Sequence, residues 1–276
     1  MAAATPPTVC DTRLWRRWWV VLALPVLSSC SSLPSHGYYR EDGPPAVPVD
    51  VTQVPDAVPR VEPRSPYGNP SSYEVNGQRY QVLASSAGYD ERGIASWYGS
   101  KFQGHRTSSG ELYDMNAMTA AHATLPIPCY VEVTNLRNRR KVVVKVNDRG
   151  PFLRNRLIDL SYVAAVKLGI TGDGTGLVEV RAINPGAPLP KLARTPAGGR
   201  SDLYLQVGAF SERDNARRLQ QRLSDVDPGA GVRISEGAGD KLYRVRIGPL
   251  PSVEEVDRLS RKLNALGLAD THVVID

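Results

Sequence analysis

The sequence predicts two folded domains of different class: a small, mainly β barrel and, after it, an α+β domain. Short β-branched runs with one helical segment between them fill the middle of the chain, as in a small closed barrel. A stretch rich in Pro and Gly then interrupts the pattern at 185–200, where we place a flexible linker. Beyond it, residues 201–276 contain two similar β–α units in tandem.

The composition limits the kinds of partner. The 276 residues allow one to three domains, and a formal net charge of +6 makes the chain mildly basic. Such an excess suits an anionic surface or polymer, but it is too small and too dispersed to indicate nucleic acid. We therefore expect no nucleic-acid partner.

The start of the chain has the pattern of an export signal. Three arginines precede the apolar run Trp18–Leu27, which is too short for a transmembrane helix of about 20 residues, so residues 1–29 are predicted to be a signal peptide. Leu27-Ser28-Ser29-Cys30 resembles the lipobox of bacterial lipoproteins, which implies a lipid on Cys30, and Ser31 favours the outer membrane. A plain secretory signal with a bystander cysteine is the alternative.

Residues 30–72 have the composition of a tether. Prolines recur through this segment, where they exclude a helix and favour extended chain. A lipid-anchored protein needs such a spacer to reach a polymer away from its membrane. A proline-rich ligand for another domain is the alternative.

The barrel domain is predicted to cover 73–184. It begins with a β-ribbon, because Asn76-Gly77 between two alternating segments is the strongest short hairpin signal. Ser161 is a suitable N-cap for a short helix that ends at Gly169. Alternating or β-branched runs predict strands at Gly93–Tyr98, Cys129–Asn135, Lys141–Val146 and Leu177–Ile183.

One acid/base site is predicted in this domain. The apolar strand 142–146 is stopped by Asn-Asp-Arg-Gly-Pro, so Asp148 lies at the lip of a rigid strand. Glu111 and His122 form a second titratable cluster upstream. Taken alone, all three have ordinary explanations, because an Asp before a turn commonly bonds local N–H groups and a lone His is commonly structural.

Several separate motifs follow one another along this domain. They are Gly93-Ile94-Ala95-Ser96-Trp97-Tyr98-Gly99, Thr107-Ser108-Ser109-Gly110-Glu111-Leu112-Tyr113-Asp114, Met118-Thr119-Ala120-Ala121-His122, Val146-Asn147-Asp148-Arg149-Gly150-Pro151-Phe152 and Ile158-Asp159-Leu160-Ser161. In this order they resemble the rare lipoprotein A family. The resemblance implies a double-psi β-barrel that acts as a lytic transglycosylase on peptidoglycan.

The resemblance assigns roles to the three candidates. Asp148 matches the family's catalytic aspartate and would act first as acid and then as base. Glu111 would stabilise charge or raise the proton affinity of Asp148, and His122 would orient or hydrogen-bond a carboxyl group. No cofactor or metal is expected, because the titratable residues lack metal-ligand spacing. A thiol nucleophile at Cys129 is disfavoured, because an inert buried cysteine is commoner.

Three further residues are candidate substrate contacts in the groove: Tyr98, Tyr113 and Arg149. An aromatic ring beside the site can stack on a sugar ring, although a core role fits the sequence at Tyr98 equally well.

The tandem units predict a βαββαβ domain with a ferredoxin-like sheet. Because successive side chains of a strand point to opposite faces, every second residue faces the helices and the others lie on an open face of the sheet. The open face would carry Tyr204, Gln206, Arg244 and Arg246, which suit a sugar chain and its carboxylates. A merely solvated face is the alternative.

Two strand segments of this domain also resemble a known domain family. Tyr204-Leu205-Gln206-Val207-Gly208-Ala209-Phe210-Ser211 and Tyr243-Arg244-Val245-Arg246-Ile247-Gly248-Pro249 are similar to the SPOR (sporulation-related repeat) domain. That family binds glycan strands stripped of peptides, which accumulate at the division septum. An RNA-binding sheet is the competing interpretation, and it lacks the aromatic pair of the RNA-recognition signature.

The combined prediction is an outer-membrane lipoprotein that faces the periplasm and is enriched at the septum. It would be an enzyme, a lyase that cleaves MurNAc–GlcNAc bonds in peptide-free peptidoglycan strands and leaves 1,6-anhydro-MurNAc ends. Its partners would be these strands, the membrane through the lipid on Cys30, and division-machinery proteins. Two alternatives stay open: a non-catalytic, expansin-like or structural peptidoglycan-binding protein, and a hydrolase that leaves reducing ends.

Overall fold

The computed structural model describes residues 42–185, 202–227, 229–237 and 240–276. The predicted signal peptide, Cys30, the first part of the predicted tether and nearly all of the linker lie outside the described residues. Within the described ranges, no helix has the length and apolar character that crossing a bilayer requires.

The described residues form a two-stranded ribbon, a closed barrel and a four-stranded sheet with two helices. The ribbon and barrel consist of β1 (Ser72–Val75), β2 (Gln78–Gln81), β3 (Asp90–Tyr98), β4 (Thr119–His122), β5 (Cys129–Asn135), β6 (Lys141–Asp148), β7 (Ile158–Ser161), α1 (Tyr162–Leu168) and β8 (Gly176–Ile183). The second domain consists of β9 (Leu203–Phe210), α2 (Arg213–Val226), β10 (Val232–Glu236), β11 (Tyr243–Leu250), α3 (Val253–Ala265) and β12 (His272–Ile275).

The ribbon of β1 and β2 forms where the turn signal predicts it. The strands pair antiparallel, with Val75 opposite Gln78. Asn76 and Gly77 between them have φ values of 51° and 75°. Two successive positive φ values are the requirement of a type I′ turn, which Asn and Gly tolerate better than other residues.

Six strands close the barrel in the order β3-β7-β4-β6-β5-β8. The β3–β7 and β4–β6 pairs are parallel, and the remaining pairs are antiparallel. The predicted double-psi barrel is thus confirmed, as is the helix with Ser161 as its N-cap and Gly169 as its C-cap. The sequence prediction omits β4 and β7, which have four residues each and too little pattern to identify.

The barrel wall beneath the predicted site is rigidly packed. Val131 and Val133 of β5 and Val142 and Val144 of β6 are almost fully buried, as their alternation predicts. Each such side chain contributes on the order of 1.5–3 kcal/mol by leaving water. The end of β6, where Asp148 lies, is therefore held by a close-packed wall.

Residues 42–71, which we call the strap, lie along the barrel surface. The buried carboxylate of Asp42 accepts hydrogen bonds from the N–H groups of Gly99 (2.7 Å) and Lys101 (3.0 Å). Further along, the N–H of Ala57 donates to the carbonyl of Val143 over 3.0 Å. The composition predicts a free tether here. The strap is extended as expected, but it packs on the barrel because its N–H groups and valines find partners there.

The second domain has the predicted βαββαβ order and an antiparallel sheet in the order β10-β11-β9-β12. Leu203, Leu205 and Val207 of β9 are buried, together with Val245 and Ile247 of β11. The helices cover this face with Ala216, Leu223, Val256, Leu259 and Leu263. The predicted ferredoxin-like arrangement and its buried face are confirmed.

The loop that follows Asp148 contacts the second domain. Arg156 donates to both carboxylate oxygens of Asp257, at 3.1 and 2.6 Å, with none of its side chain exposed. Asn155 donates to the hydroxyl of Ser260 over 2.7 Å. Ile94 of β3 packs in the same apolar cluster as the core of the sheet domain. The described parts of the two domains therefore share a packed contact.

Candidate active site

A β-bulge at the end of β6 orients the side chains of Asn147 and Asp148. Ala120 of β4 pairs with Val146, but Ala121 pairs with Asp148, so Asn147 is an extra residue in β6. In a regular strand the side chains of Asn147 and Asp148 would point to opposite faces. The bulge instead lets both reach the turn 107–111, because an extra residue re-aims the strand.

The carboxylate of Asp148 is oriented through one oxygen. Its Oδ1 accepts hydrogen bonds from the N–H of Ser108 (2.8 Å), the hydroxyl of Ser108 (2.7 Å) and the N–H of Arg149 (2.7 Å). Among the described residues, none donates to Oδ2. The side chain is half-buried. Asp148 is therefore fixed in direction while one oxygen stays available to a substrate.

Glu111 comes to the site on the turn 107–111. The N–H of Gly110 donates to the carbonyl of Thr107 over 2.9 Å, and φ of Gly110 is 91°, a value that suits glycine. The N–H of Ser109 donates to the carbonyl of Asn147, which fastens the turn to β6. The structure thus places Glu111 on a turn that is bonded directly to the strand end carrying Asp148.

The carboxylate of Glu111 is ionised and paired. Lys145 donates to its Oε1 over 2.8 Å, and the amide of Asn147 donates to its Oε2 over 2.7 Å. Burial raises the pKa of Glu111, but these two hydrogen bonds outweigh burial and leave the pKa below its ordinary value. The side chain is 44% exposed. Glu111 therefore offers a fixed negative charge at the site.

Lys145 links the carboxylate of Glu111 to the strap. Its ammonium group also donates to Oε2 of Glu62 over 3.0 Å. Glu62 further accepts hydrogen bonds from Arg60 and from the hydroxyl of Tyr130. Burial raises the pKa of Glu62, but the donors together lower it to about 2. One lysine thus bridges a strap carboxylate and a site carboxylate.

This network predicts a dependence of stability on pH. Glu62 binds its proton more weakly in the folded chain, so its contribution is present above about pH 4.5 and is lost as pH falls towards 2. We expect Glu62→Gln to lower the free energy of unfolding by about 1–2 kcal/mol at pH 7, after allowance for solvent screening. The difference from wild type should vanish near pH 2, as measured by urea unfolding across that range. Glu74→Gln, at an exposed ribbon carboxylate, is the control; an equal effect there would contradict the assignment.

His122 is buried and held by hydrogen bonds within the barrel domain. Its Nδ1 accepts hydrogen bonds from the N–H groups of Thr124 (3.2 Å) and Leu125 (3.0 Å), and its Nε2 contacts the hydroxyl of Tyr89 at 2.8 Å. Burial, reinforced by the charge of Arg149, lowers its pKa to about 3. The imidazole is thus neutral, with its proton on Nε2. Among the described residues it bonds no carboxyl group, contrary to that part of the sequence prediction.

Two of the predicted groove contacts are core residues. Tyr98 is 5% exposed and Tyr113 is 3% exposed, and their rings stack with centroids 4.2 Å apart. The hydroxyl of Tyr113 donates to the carbonyl of Tyr98 over 2.6 Å. Neither ring has a face available for a sugar, so the stacking role suggested for Tyr98 and the groove contact suggested for Tyr113 are wrong. Trp97 is likewise fully buried.

Arg149, the third predicted groove contact, is used as a clamp. Its guanidinium donates to the carbonyls of Gly68 (2.7 Å), His122 (3.0 Å) and Leu125 (2.5 Å) and to the side chain of Asn69 (3.1 Å). These bonds join the strap, the end of β4 and the loop after it. Arg149 therefore holds the site together through its side chain and orients Asp148 through its N–H.

Other candidate chemistries gain no support. Burial raises the pKa of Cys129 to about 12, so the thiol does not ionise readily. Within the described ranges, no three His, Cys, Asp or Glu side chains are grouped so that they could hold a metal ion.

The open face of the sheet domain carries the four predicted residues. Arg246 lies opposite Gln206 and donates to its side-chain oxygen over 3.4 Å. Arg246 also pairs with Asp276, and Arg244 pairs with Asp240. Tyr204, Gln206, Arg244 and Arg246 are all half-buried. Strand register adds Arg233 and His272 to the row of Arg246 and Gln206, which crosses all four strands.

Sequence reasoning gave no role to several residues that build the site. Ser108 lies in the motif Thr107–Asp114, and Lys145 and Asn147 are two positions apart on β6, so the sequence contains a signal for all three. Glu62 has no such signal, because the proline-rich composition around it indicates only extended chain.

Comparison with known families agrees with this architecture. The family model described as lytic transglycolase matches residues 90–181, and the SPOR domain model matches residues 199–273. A closed double-psi barrel with this match defines the class: a lytic transglycosylase of the barrel type, with a SPOR domain attached.

The relatives specify the family. The chain is 42% identical to "Endolytic peptidoglycan transglycosylase RlpA" of Vibrio cholerae serotype O1, over 91% of this chain and 94% of that protein. It is 37% identical to the protein of the same name from Pseudomonas aeruginosa strain UCBPP-PA14, over 92% and 94%. The chain belongs to the RlpA family, as its motifs predict. The crystal structure of the RlpA SPOR domain from Pseudomonas aeruginosa is 40% identical and covers 26% of this chain and 96% of that chain, with a TM-score of 0.25.

Proposed function

We propose that this chain is an endolytic peptidoglycan transglycosylase and that Asp148 is its acid and base. The observation that carries the proposal is the orientation of Asp148 through Oδ1 alone, with the ionised carboxylate of Glu111 on the adjoining turn. Membership of the RlpA family supports the same activity. Glycoside cleavage needs one group to move a proton and another to stabilise positive charge, and these two residues supply both.

The first step is protonation of the leaving group. Asp148, protonated on Oδ2, donates to the glycosidic oxygen between MurNAc and GlcNAc, and the bond from this oxygen to MurNAc C1 breaks. GlcNAc leaves with a free hydroxyl group. Positive charge develops on C1 and the ring oxygen, where the carboxylate of Glu111 stabilises it electrostatically.

The second step closes a ring on the same sugar. The C6 hydroxyl of MurNAc attacks its own C1, and the carboxylate of Asp148 accepts the hydroxyl proton. The product is a 1,6-anhydro end, Asp148 regains its proton, and no water is consumed. His122 takes no part in proton transfer, because its Nδ1 is occupied by two N–H donors and its pKa is about 3.

Product analysis tests this function. The purified chain is incubated with sacculi freed of peptides, and the released sugars are identified by mass spectrometry. Oligosaccharides with 1,6-anhydro ends are expected. Reducing ends would indicate a hydrolase, and no release with retained glycan binding would indicate an expansin-like, non-catalytic role. Either of those results contradicts the proposal.

The sheet domain is proposed to bind the same polymer. Arg244, Arg246 and Gln206 offer charge-assisted and neutral hydrogen bonds to sugar hydroxyls and carboxylates on an open face. We propose peptide-free strands as the preferred form, since a row of polar side chains across all four strands suits an extended sugar chain without peptide branches. Such binding raises the local concentration of substrate at the barrel.

The cellular setting of the proposal follows from the sequence. Peptidoglycan as the substrate makes this a protein of the cell envelope. Lipid on Cys30, anchoring in the outer membrane, enrichment at the septum and division-machinery partners are the finer proposals. Metabolic labelling with a fatty acid, compared between the wild type and Cys30→Ala, measures the lipid directly.

A further inference from the structure

An aromatic cluster beside the carboxylates has no part in the mechanism above. Tyr73 of β1 and Tyr80 of β2 lie directly opposite each other, and their rings stack with centroids 5.3 Å apart. Phe152 meets both rings edge-on, with centroid distances of 6.1 Å to Tyr73 and 5.8 Å to Tyr80. We call these three side chains the aromatic platform. Each is only partly buried.

The platform is continuous with the active site. Phe152 follows Asp148 after a three-residue turn. The hydroxyl of Tyr73 donates to the carbonyl of Ala123 over 2.7 Å, one residue after His122. The guanidinium carbon of Arg149 lies 6.0 Å from the centroid of the Tyr73 ring. The ribbon is therefore fastened to the end of β6 and to the end of β4.

The two tyrosines differ in what they leave free. Tyr73 uses its hydroxyl as the anchor to Ala123. The hydroxyl of Tyr80 has no hydrogen-bond partner in the part of the chain that the structure describes. A ring with an apolar face and an unused hydroxyl at its edge suits a sugar, which presents C–H groups on one face and hydroxyls around its rim.

We infer that Tyr80 and Phe152 form a sugar-stacking subsite for an N-acetylated pyranose ring of the glycan strand, next to the bond that Asp148 cleaves. This inference rests on the proposed function, because the strand at Asp148 is what extends onto the platform. Tyr80 lies before the range 90–181 that matches the lytic transglycolase model, so the ribbon adds a contact to the barrel. Tyr98 and Tyr113 are buried and leave this role open.

A purely structural role is the competing explanation. A two-stranded ribbon is marginally stable alone, so an aromatic cluster also serves to fasten it. Kinetic measurements distinguish the two roles. Loss of a structural contact lowers the stability of the ribbon, whereas loss of a subsite lowers the affinity for substrate and raises KM. Variants that keep the ribbon folded while changing the face of the ring therefore decide between them.

The kinetic test uses the full chain with peptide-free glycan strands. Tyr80→Leu is expected to raise KM about tenfold, the size of one aromatic stacking contact, with kcat changed little. Tyr80→Phe, which keeps the ring and removes only the free hydroxyl, should raise KM less than Tyr80→Leu does. Tyr80→Trp, with a larger face, should lower KM. Tyr73→Phe, which keeps the ring but removes the anchor to Ala123, should speed backbone hydrogen exchange of the ribbon.

A binding test separates the subsite from catalysis. The full chain with Asp148→Asn is mixed with an N-acetylglucosamine hexamer, and backbone hydrogen exchange is followed by mass spectrometry. Residues 72–82 and 150–153 should gain protection, and Tyr80→Leu should abolish the gain. The readout is local, so sugar held by the sheet domain does not contribute. It also needs no cleavage, so the subsite can be accepted or rejected even where product analysis rejects the proposed function.

The result that overturns the inference is equally definite. If Tyr80→Leu and Phe152→Leu both keep the wild-type KM and the hexamer-induced protection, the platform is only a fastening. If Tyr80→Leu opens the ribbon, as shown by fast exchange of 72–82 without ligand, Phe152→Leu decides, because it leaves the stack of Tyr73 on Tyr80 intact.

Discussion

Replacing Asp148 with asparagine is expected to lower the rate of glycan cleavage by about a thousandfold or more, because the amide cannot give or take the proton. The fold should be unaffected. The side-chain oxygen of asparagine accepts the same hydrogen bonds from Ser108 and from the N–H of Arg149. Release of anhydro-ended sugars from peptide-free sacculi, quantified by mass spectrometry, measures the effect.

A matched control distinguishes this effect from a change of surface charge. Asp173→Asn removes a carboxylate from the exposed loop before β8, where it pairs with the equally exposed Arg137. Its activity should equal that of the wild type. The Asp148→Asn chain should still bind stripped glycan, because the sheet domain is unchanged. Full cleavage by Asp148→Asn would show that another group moves the proton.

Replacing Arg149 with leucine is expected to lower the free energy of unfolding by about 3–4 kcal/mol. The guanidinium satisfies three carbonyls and one side-chain oxygen, and leucine leaves all four without this donor. Loss of activity should accompany the loss of stability, since the strap, β4 and Asp148 all meet at this residue. Urea unfolding of the full chain gives the magnitude.

The comparison for Arg149→Leu is the same change at Arg79, an exposed residue of the ribbon. Arg79→Leu should alter the free energy of unfolding by less than about 0.5 kcal/mol. A loss below about 1 kcal/mol at Arg149 would mean that the strap is held by its other contacts, such as those of Asp42 and Ala57.

The elements with strong local signals could be predicted from sequence. The residue types Asn76-Gly77 predict their turn, and the capping residues of α1 predict its ends. Hydrophobic periodicity predicts the tandem β–α units. The strands β4 and β7 could not be predicted. Each has four residues, and each is a strand because of its neighbours in the barrel rather than its own pattern.

The site shows the same division. Asp148 and Glu111 could be selected because each occurs in a family motif, Asp148 at a strand end and Glu111 in a turn. The burial of Tyr98 and Tyr113 could not, because the type of a residue does not tell which way its ring points. The contact of Glu62 with Lys145 spans 83 positions and depends on the path of the strap, which composition does not specify.

The strap also sets a working distance. If the whole segment 30–72 were free, a lipid on Cys30 would let the barrel move roughly 150 Å from the membrane, at about 3.5 Å per extended residue. Because Asp42 is fastened to the barrel, about twelve residues separate Cys30 from the first described contact, and a chain of that length reaches at most roughly 40 Å. With the proposed anchor, Asp42 would therefore lie within that distance of the membrane, and the strap would keep the barrel close to the membrane surface.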